Sequence, residues 1–208
     1  MNRAPPRHPA GLRAATAAAG SVRIVGGRWR GTRLAVPDSE GLRPSSDRVR
    51  ETLFNWLQPA LPGAVVLDLF AGSGALGLEA VSRGAARALL VERDQVLADA
   101  LRATVQRLGA AGQVQAVQAD ALHWLARSAA PDRFDIAFLD PPFEGDLWEA
   151  ALRVLLPCMA PSAWLYIESP ATQVPLLPPS WTLHRELRTA QARAALYRGP
   201  AARTAVCR

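Results

Sequence analysis

From Gly63 onward the sequence predicts an α/β domain with a mostly parallel sheet, and two observations carry that expectation. Short apolar runs bounded by turn residues alternate with stretches of helical period, the order a parallel sheet with crossover helices requires. The run VVLDLFAGSGALG, beginning at Val65, reads as a buried strand feeding a glycine turn and a helix. Strands are expected at 65–70, 88–92, 114–119, 134–139 and 163–168, and helices at about 75–83, 95–108, 121–127 and 146–156. Stretches 182–188 and 193–198 look like a closing pair of strands.

Ahead of this domain, VRIVGG and TRLAVP read as two short strands joined by a Gly-containing turn. Arg23, Arg28, Arg30 and Arg33, with Trp29, decorate that hairpin. After Pro44, the segment SSDRVRETLFNWL predicts a helix capped by Ser45 or Ser46, with Asp47 near its positive end. Val49, Leu53, Trp56 and Leu57 recur at helical spacing and should face the core, which leaves Arg48 and Arg50 for solvent or a ligand. Residues 1–21 are rich in Ala, Pro and Arg, lack acids and show no sustained apolar period. They are expected to form a disordered arm; a transit peptide would need an amphipathic stretch that does not stand out.

A chain of 208 residues suits one domain with a small appendage, and 50% hydrophobic against 20% charged residues excludes wholesale disorder. No apolar run approaches the roughly 18 residues of a membrane-spanning helix, so a soluble protein is expected. Cys158 and Cys207 have no histidine nearby, which supports neither a disulfide framework nor a metal site and fits free thiols in a reducing cytosol. All 24 basic residues are arginine, and their placement is uneven. Residues 22–50 hold seven Arg against three acids and 185–208 hold six against Glu186, whereas 51–184 hold eight Arg against fourteen acids. Basic flanks around an acidic body favour a polyanionic partner such as nucleic acid.

Gly72, Gly74 and Gly77 satisfy G-x-G-x-x-G, and Glu92 lies 20 residues after Gly72 at the end of the next strand. That constellation alone fits a dinucleotide site. Asp68 tips the choice. It stands four residues before Gly72, where a pyrophosphate would meet the helix amino terminus, and a carboxylate there repels phosphates. A ligand with positive charge suits it better, and S-adenosylmethionine carries a sulfonium and an ammonium. Glu92 can then accept from the ribose, and Asp120 in QADAL from the adenine amino group.

FDIAFLDPPF places Asp140, Pro141, Pro142 and Phe143 at the carboxyl end of the fourth strand, beside the crevice where open α/β sheets hold ligands. An exocyclic amino nitrogen is a poor nucleophile because its lone pair is delocalised into the ring. An acceptor such as Asp140, with the Pro141 carbonyl as a second, can hold the amino protons so that the lone pair turns toward a methyl donor. The prolines stiffen the segment and remove competing N–H donors, and Phe143 offers a ring for a flipped base.

Through these residues the sequence resembles the RsmD family, bacterial methyltransferases that modify guanine N2 in small-subunit ribosomal RNA. The likeness runs through RIVGGRWRG, GLRPSSDRVRETLFNWL, LDLFAGSGALGLEAVSRGA, VERD and LDPPF to the final LYR, roughly residues 22–198. It implies a Rossmann-like class I S-adenosylmethionine-dependent methyltransferase. The sheet would be seven-stranded and mostly parallel with an antiparallel last strand, preceded by a β-hairpin and helix. It also implies the guanine conventionally numbered 966 in 16S rRNA as target, within an assembled or assembling subunit in the cytoplasm. Cofactor-binding residues would be Asp68, Phe70, Ala71, Gly72, Ser73, Gly74, Glu92, Arg93, Asp120 and Ala121. Asp140 to Phe143 would be catalytic, and Arg23, Arg28, Trp29, Arg30, Arg33, Arg43, Arg48 and Arg50 would face RNA.

The expected organisation is an arm at 1–21, an RNA-facing hairpin and helix at 22–62, a methyltransferase domain at 63–198 and a flexible end at 199–208, as a monomer without metal or membrane contact. His8, His123 and His184 lack metal-ligand spacing, and His123 is expected on a helix surface. Competing readings keep the amino-methylating chemistry on adenine N6 or a glutamine amide, or take the glycine motif for a nicotinamide-dependent oxidoreductase, or make the chain a non-catalytic RNA-binding factor.

Overall fold

The computed structural model describes residues 20–36, 47–127 and 134–201. Most of the expected arm, Arg43, the caps Ser45 and Ser46, and the last seven residues lie outside that set. The hairpin pairs β1 (Gly20–Arg23) with β2 (Arg33–Val36) antiparallel, Val22 opposite Leu34. Its connection is longer than a tight turn, because residues 27–29 form a single 3-10 turn closed by Arg30 N–H to the Gly27 carbonyl at 3.2 Å, and Ile24 N–H donates across the loop to the Thr32 carbonyl at 3.0 Å. Helix α1 (Asp47–Leu57) follows, with Asp47 in its first turn.

The domain then alternates β3 (Val65–Asp68), α2 (Ala75–Ser82), β4 (Arg87–Glu92), α3 (Gln95–Arg107), β5 (Val114–Gln118), α4 (Ala121–Arg127), β6 (Phe134–Leu139), α5 (Trp148–Leu155) and β7 (Met159–Pro170). It closes with β8 (Thr182–Arg188) and β9 (Ala192–Arg198). One seven-stranded sheet results, in the order β5-β4-β3-β6-β7-β9-β8. Strands β3 to β7 pair in parallel, while β9 is antiparallel to both neighbours, so the last strand alone runs against the rest. The expected sheet is the observed one, with β7 longer than expected at both ends.

Each face of the sheet carries its own core. Ile24 and Leu34 of the hairpin, Leu53, Phe54 and Leu57 of α1, and Leu78 and Val81 of α2 cover Ile136, Phe138 and Tyr166 on one face. Helices α4 and α5 cover Leu139, Leu165 and Ile167 on the other through Leu125, Trp148 and Leu152. Phe54 is fully buried and meets the Phe138 ring edge-on at 5.9 Å, so truncating it to Ala should cost about 3–5 kcal/mol. On α1, Leu53 and Leu57 are buried as expected, but Val49 and Trp56 are only partly so, and Phe54 is a core residue the period did not single out.

Arg50 departs from expectation. Its side chain is 1% exposed, because α1 is wedged between the sheet and the hairpin and has little free surface on that side. The guanidinium donates to Asp47 Oδ1 at 2.5 Å and to the Arg23 carbonyl at 2.7 Å, while Nε and Nη1 have no hydrogen-bond partner. Burial lowers its pKa, with Asp47 and Glu79 opposing that fall.

Candidate functional site

The strand order reverses at β3: β4 and β5 lie on one side, β6 and β7 on the other. A crevice opens at the carboxyl ends of such strands, and Asp68, Glu92 and Asp140 stand at those strand ends. Between β3 and α2 the loop is tied into the sheet by Leu69 N–H to the Phe138 carbonyl at 3.2 Å and Ala71 N–H to the Val91 carbonyl at 2.9 Å. Glu92, at the end of β4, accepts from Gly72 N–H at 2.8 Å and from Asp94 N–H at 2.7 Å, so one carboxylate spans the glycine turn and the start of α3. Gly77 explains itself by contact. A Cβ there would meet Leu90 Cδ2 at 2.7 Å and Asp68 Cβ at 3.2 Å, and its N–H donates to Asp68 Oδ2 at 2.9 Å. The third glycine thus lets α2 press on the sheet and fixes the Asp68 carboxyl.

Phe70 and Ser73 are partly exposed at the loop, Ala71, Gly72 and Gly74 are buried, and Arg93 is exposed. Asp120 follows β5 and accepts from His123 N–H at 2.9 Å, capping α4, with Ala121 buried behind it. A groove of about 280 Å³ lined by Ala119, His123, Trp124 and Arg127 adjoins it. His123 is exposed on α4, 3.4 Å from Arg127 Nη1.

Asp140 stands just past the end of β6. Pro141 is buried, Pro142 exposed, and the Phe143 ring is partly exposed, 5.9 Å from the buried Trp148 ring. Leu139 pairs with Ile167 on β7, so the next residues along, Asp140 and Glu168, are lateral neighbours. Burial pushes the Asp140 carboxyl well above the usual carboxylate range, and Glu168 and then Asp68 push it further. Burial likewise lifts Asp68 to about 7 against the pull of Gly77 N–H, with Glu92 adding to the rise. Carboxylates on adjacent strands therefore crowd one crevice, a field that favours a cation.

Glu168 was not singled out from the sequence. Its signal was an acid closing the apolar run WLYI at the crevice end of a strand. A second missed acid is Glu79, fully buried on α2, an otherwise apolar helix. It accepts from Val25 N–H at 2.7 Å and from Arg83 Nε at 2.6 Å. Ser82, one turn on, accepts from Trp29 N–H at 3.0 Å and donates to the Gly26 carbonyl at 2.7 Å. Gly27 lies so close that a Cβ would strike the Ser82 carbonyl. These contacts seat the hairpin on α2.

Of the residues expected to face RNA, Arg23, Arg28, Arg30, Arg33 and Arg48 are exposed and Trp29 partly so. Arg28 stacks 4.2 Å over the Trp29 ring and reaches Gln113 Oε1 at 2.5 Å. Arg50 is corrected out of this set, since a guanidinium enclosed between α1 and the hairpin cannot meet a phosphate. Arg43 lies outside the described residues.

The family model described as "Conserved hypothetical protein 95" matches residues 22–198. Ribosomal RNA small subunit methyltransferase D of Escherichia coli strain K12 is 46% identical over 181 residues, 86% of this chain and 90% of the relative. The protein of that name in Haemophilus influenzae is 42% identical over 175 residues, 83% and 91% of the two chains. The solved structure of yhhF from Escherichia coli superposes with a TM-score of 0.80 at 44% identity, covering 88% of this chain and 100% of that one. By sequence along most of its length and by its sheet, the chain belongs to the family described as conserved hypothetical protein 95, the RsmD family of Rossmann-like class I methyltransferases.

Proposed function

We propose that this protein transfers a methyl group from S-adenosylmethionine to the exocyclic N2 of one guanine, the position conventionally numbered 966, in 16S rRNA of the small ribosomal subunit. The observation that carries the chemistry is the carboxylate-lined crevice beside Asp140-Pro141-Pro142-Phe143, where burial and mutual repulsion call for a cationic ligand. The relatives named for small-subunit ribosomal RNA supply the substrate class.

The residues present fit that donor. Asp68 sets negative charge beneath the glycine turn, Glu92 presents a carboxylate to ribose hydroxyls, and Asp120 with Ala121 faces the adenine. When bound, S-adenosylmethionine supplies a methyl carbon on positively charged sulfur, and the sulfur leaves as a neutral thioether. Asp140 and the Pro141 carbonyl accept the two amino protons of the base and turn its lone pair out of the ring plane. As nitrogen gains the methyl group it loses one proton, and Asp140, whose proton affinity the crevice raises, is placed to take it. Phe143, backed by Trp148, gives the swung-out base a surface to stack on. Rate comes mainly from holding the acceptor in line and from the preset field.

Arg28, Arg30, Arg33 and Arg48 supply phosphate contacts, with the Arg28–Trp29 stack as an aromatic platform. The substrate is an assembled or assembling subunit, met by a monomer in the cytoplasm; no helix among the described residues is long and apolar enough to cross a membrane. Methyl transfer from labelled donor to small subunits taken from cells lacking the enzyme, followed by mapping, tests the proposal. Label on N2 of a single guanine is expected; label on an adenine or on protein would overturn it.

A further inference from the structure

We propose that the outer strands of the sheet carry a second contact with the substrate RNA backbone, made by Arg185 and Arg198 on the face that also bears the amino-terminal hairpin. Resting on the RNA reading above, this contact takes up the basic end of the chain, which that reading leaves unused. After Glu168 the sequence holds six arginines and a single acid, Glu186.

The fold sorts those charges between the two faces. Along β8 the register shifts between Leu183, opposite Tyr197, and Arg185, opposite Leu196, so one extra residue, His184, is inserted. Without it, strict alternation would turn Arg185 to the face of Leu183. With it, Arg185 joins Leu196, which belongs to the core beneath the hairpin and α1. Glu186, next along, stands opposite Ala195 of the other core, and accepts from Arg188 Nε at 3.1 Å and Arg193 Nε at 2.8 Å. The lone acid therefore neutralises cations on the far face, and β8 and β9 set none on the hairpin face.

Arg198 is held by a ring. It stands opposite Trp164 across the sheet, with its guanidinium 4.3 Å from the centroid of that ring, and the His184 ring meets Trp164 edge-on at 4.9 Å. Stacking engages the flat face of a guanidinium and leaves its in-plane N–H donors available. Among the described residues, neither Arg198 nor the exposed Arg185 makes a side-chain hydrogen bond or ion pair. The hairpin repeats the device, with Arg28 4.2 Å over Trp29, and both tryptophans pack against the same core. Trp164 precedes Glu168 by four residues, about 13 Å down β7 from the crevice, so the stretch met here is not the target nucleotide. Two preset arginines unopposed by acid, on the face of a matching Arg–Trp pair, suit a run of phosphates.

The test uses the full chain, wild type and the double variant Arg185→Ala/Arg198→Ala, titrated against small subunits from cells lacking the enzyme at about 50 to about 200 mM salt. The variant should bind more weakly, by about 3–10-fold per arginine. Its log–log salt slope should fall by about 1.4–1.8 units, while its S-adenosylhomocysteine affinity stays at the wild-type level. Arg185→Lys/Arg198→Lys, which keeps both charges, should restore the slope. An unchanged slope in the Ala variant would overturn the proposal even with weaker binding, since that pattern marks contact with a ribosomal protein. A Lys variant that behaves as the Ala variant does would overturn it as well. Should the double variant lose its melting transition, Arg185→Ala alone decides, by a slope loss of about one unit or none. Wild type that transfers no methyl group to these subunits would instead remove the reading on which the inference rests.

Discussion

Helix α2 borders two clusters of buried charge that are built in opposite ways. On its hairpin side, Glu79 has no exposed surface and is met by Arg83 at 2.6 Å and by Val25 N–H at 2.7 Å, with Arg50 acting through space. On its sheet side, Gly77 N–H reaches Asp68, and the charges acting on Asp68 and Asp140 are other carboxylates, Glu92 and Glu168 among them. The first cluster closes on itself and holds an attachment. The second keeps like charges together in a crevice, at a cost to the empty protein that a cation would offset. Opposed buried charges mark architecture, and gathered like charges mark a place for a ligand.

Glu79→Ala strands Arg83 and unties Val25, so denaturant unfolding should show a loss of about 3–5 kcal/mol. A loss under about 1 kcal/mol would place the hairpin's hold elsewhere. In the crevice we propose to be catalytic, Asp140→Ala should lower turnover by about 10²–10³ while calorimetry finds S-adenosylhomocysteine affinity little changed. Unchanged turnover would remove Asp140 from the reaction.

The pH response sharpens the contrast. The folded protein raises Asp68 from the ordinary carboxylate range to about 7. Between about pH 4 and about pH 7 the native state thus holds a proton that the unfolded chain has released. Stability without ligand should therefore fall as pH rises through that window and level off above it. A sulfonium ligand favours the ionised acids, so donor affinity should grow between about pH 6 and about pH 8, and that of S-adenosylhomocysteine, neutral at sulfur, should grow less. Asp68→Asn should flatten the difference, as titration calorimetry at the two pH values would reveal. The smallest effect belongs to the surface: replacing Arg28, Arg30 and Arg33 should reduce the log–log salt slope of subunit binding by about one unit per lost phosphate contact. Replacing buried Arg50 should leave that slope as it is.

These regions also differ in how far they could be read from sequence. Strand β3, the glycine turn, Glu92 and the Asp140 segment follow local rules of apolar runs and turn residues, and the strands and helices of the domain fall within a few positions of expectation. The burial of Arg50 does not follow such a rule. It depends on the hairpin lying across α1, a contact between residues 27 apart in the chain, and a helical period sees one face at a time. Glu79 pairs with a main-chain N–H 54 residues away, and no pattern within α2 names that partner. Yet ALGLEAVS is apolar on every side, which signalled that something besides the sheet must cover it.

Gly77 meets the sheet and Glu79 the hairpin, two positions on and so about 200° around the axis. One residue inserted between them would swing the attachment by about 100° and raise it about 1.5 Å, turning Trp29 and its arginines off their bearing relative to the methyl donor. Those two positions work as a gauge block: the distance from the proposed nucleic-acid contacts to the proposed reaction centre is written in helix geometry, and the chain can lengthen in surface loops far more easily than there.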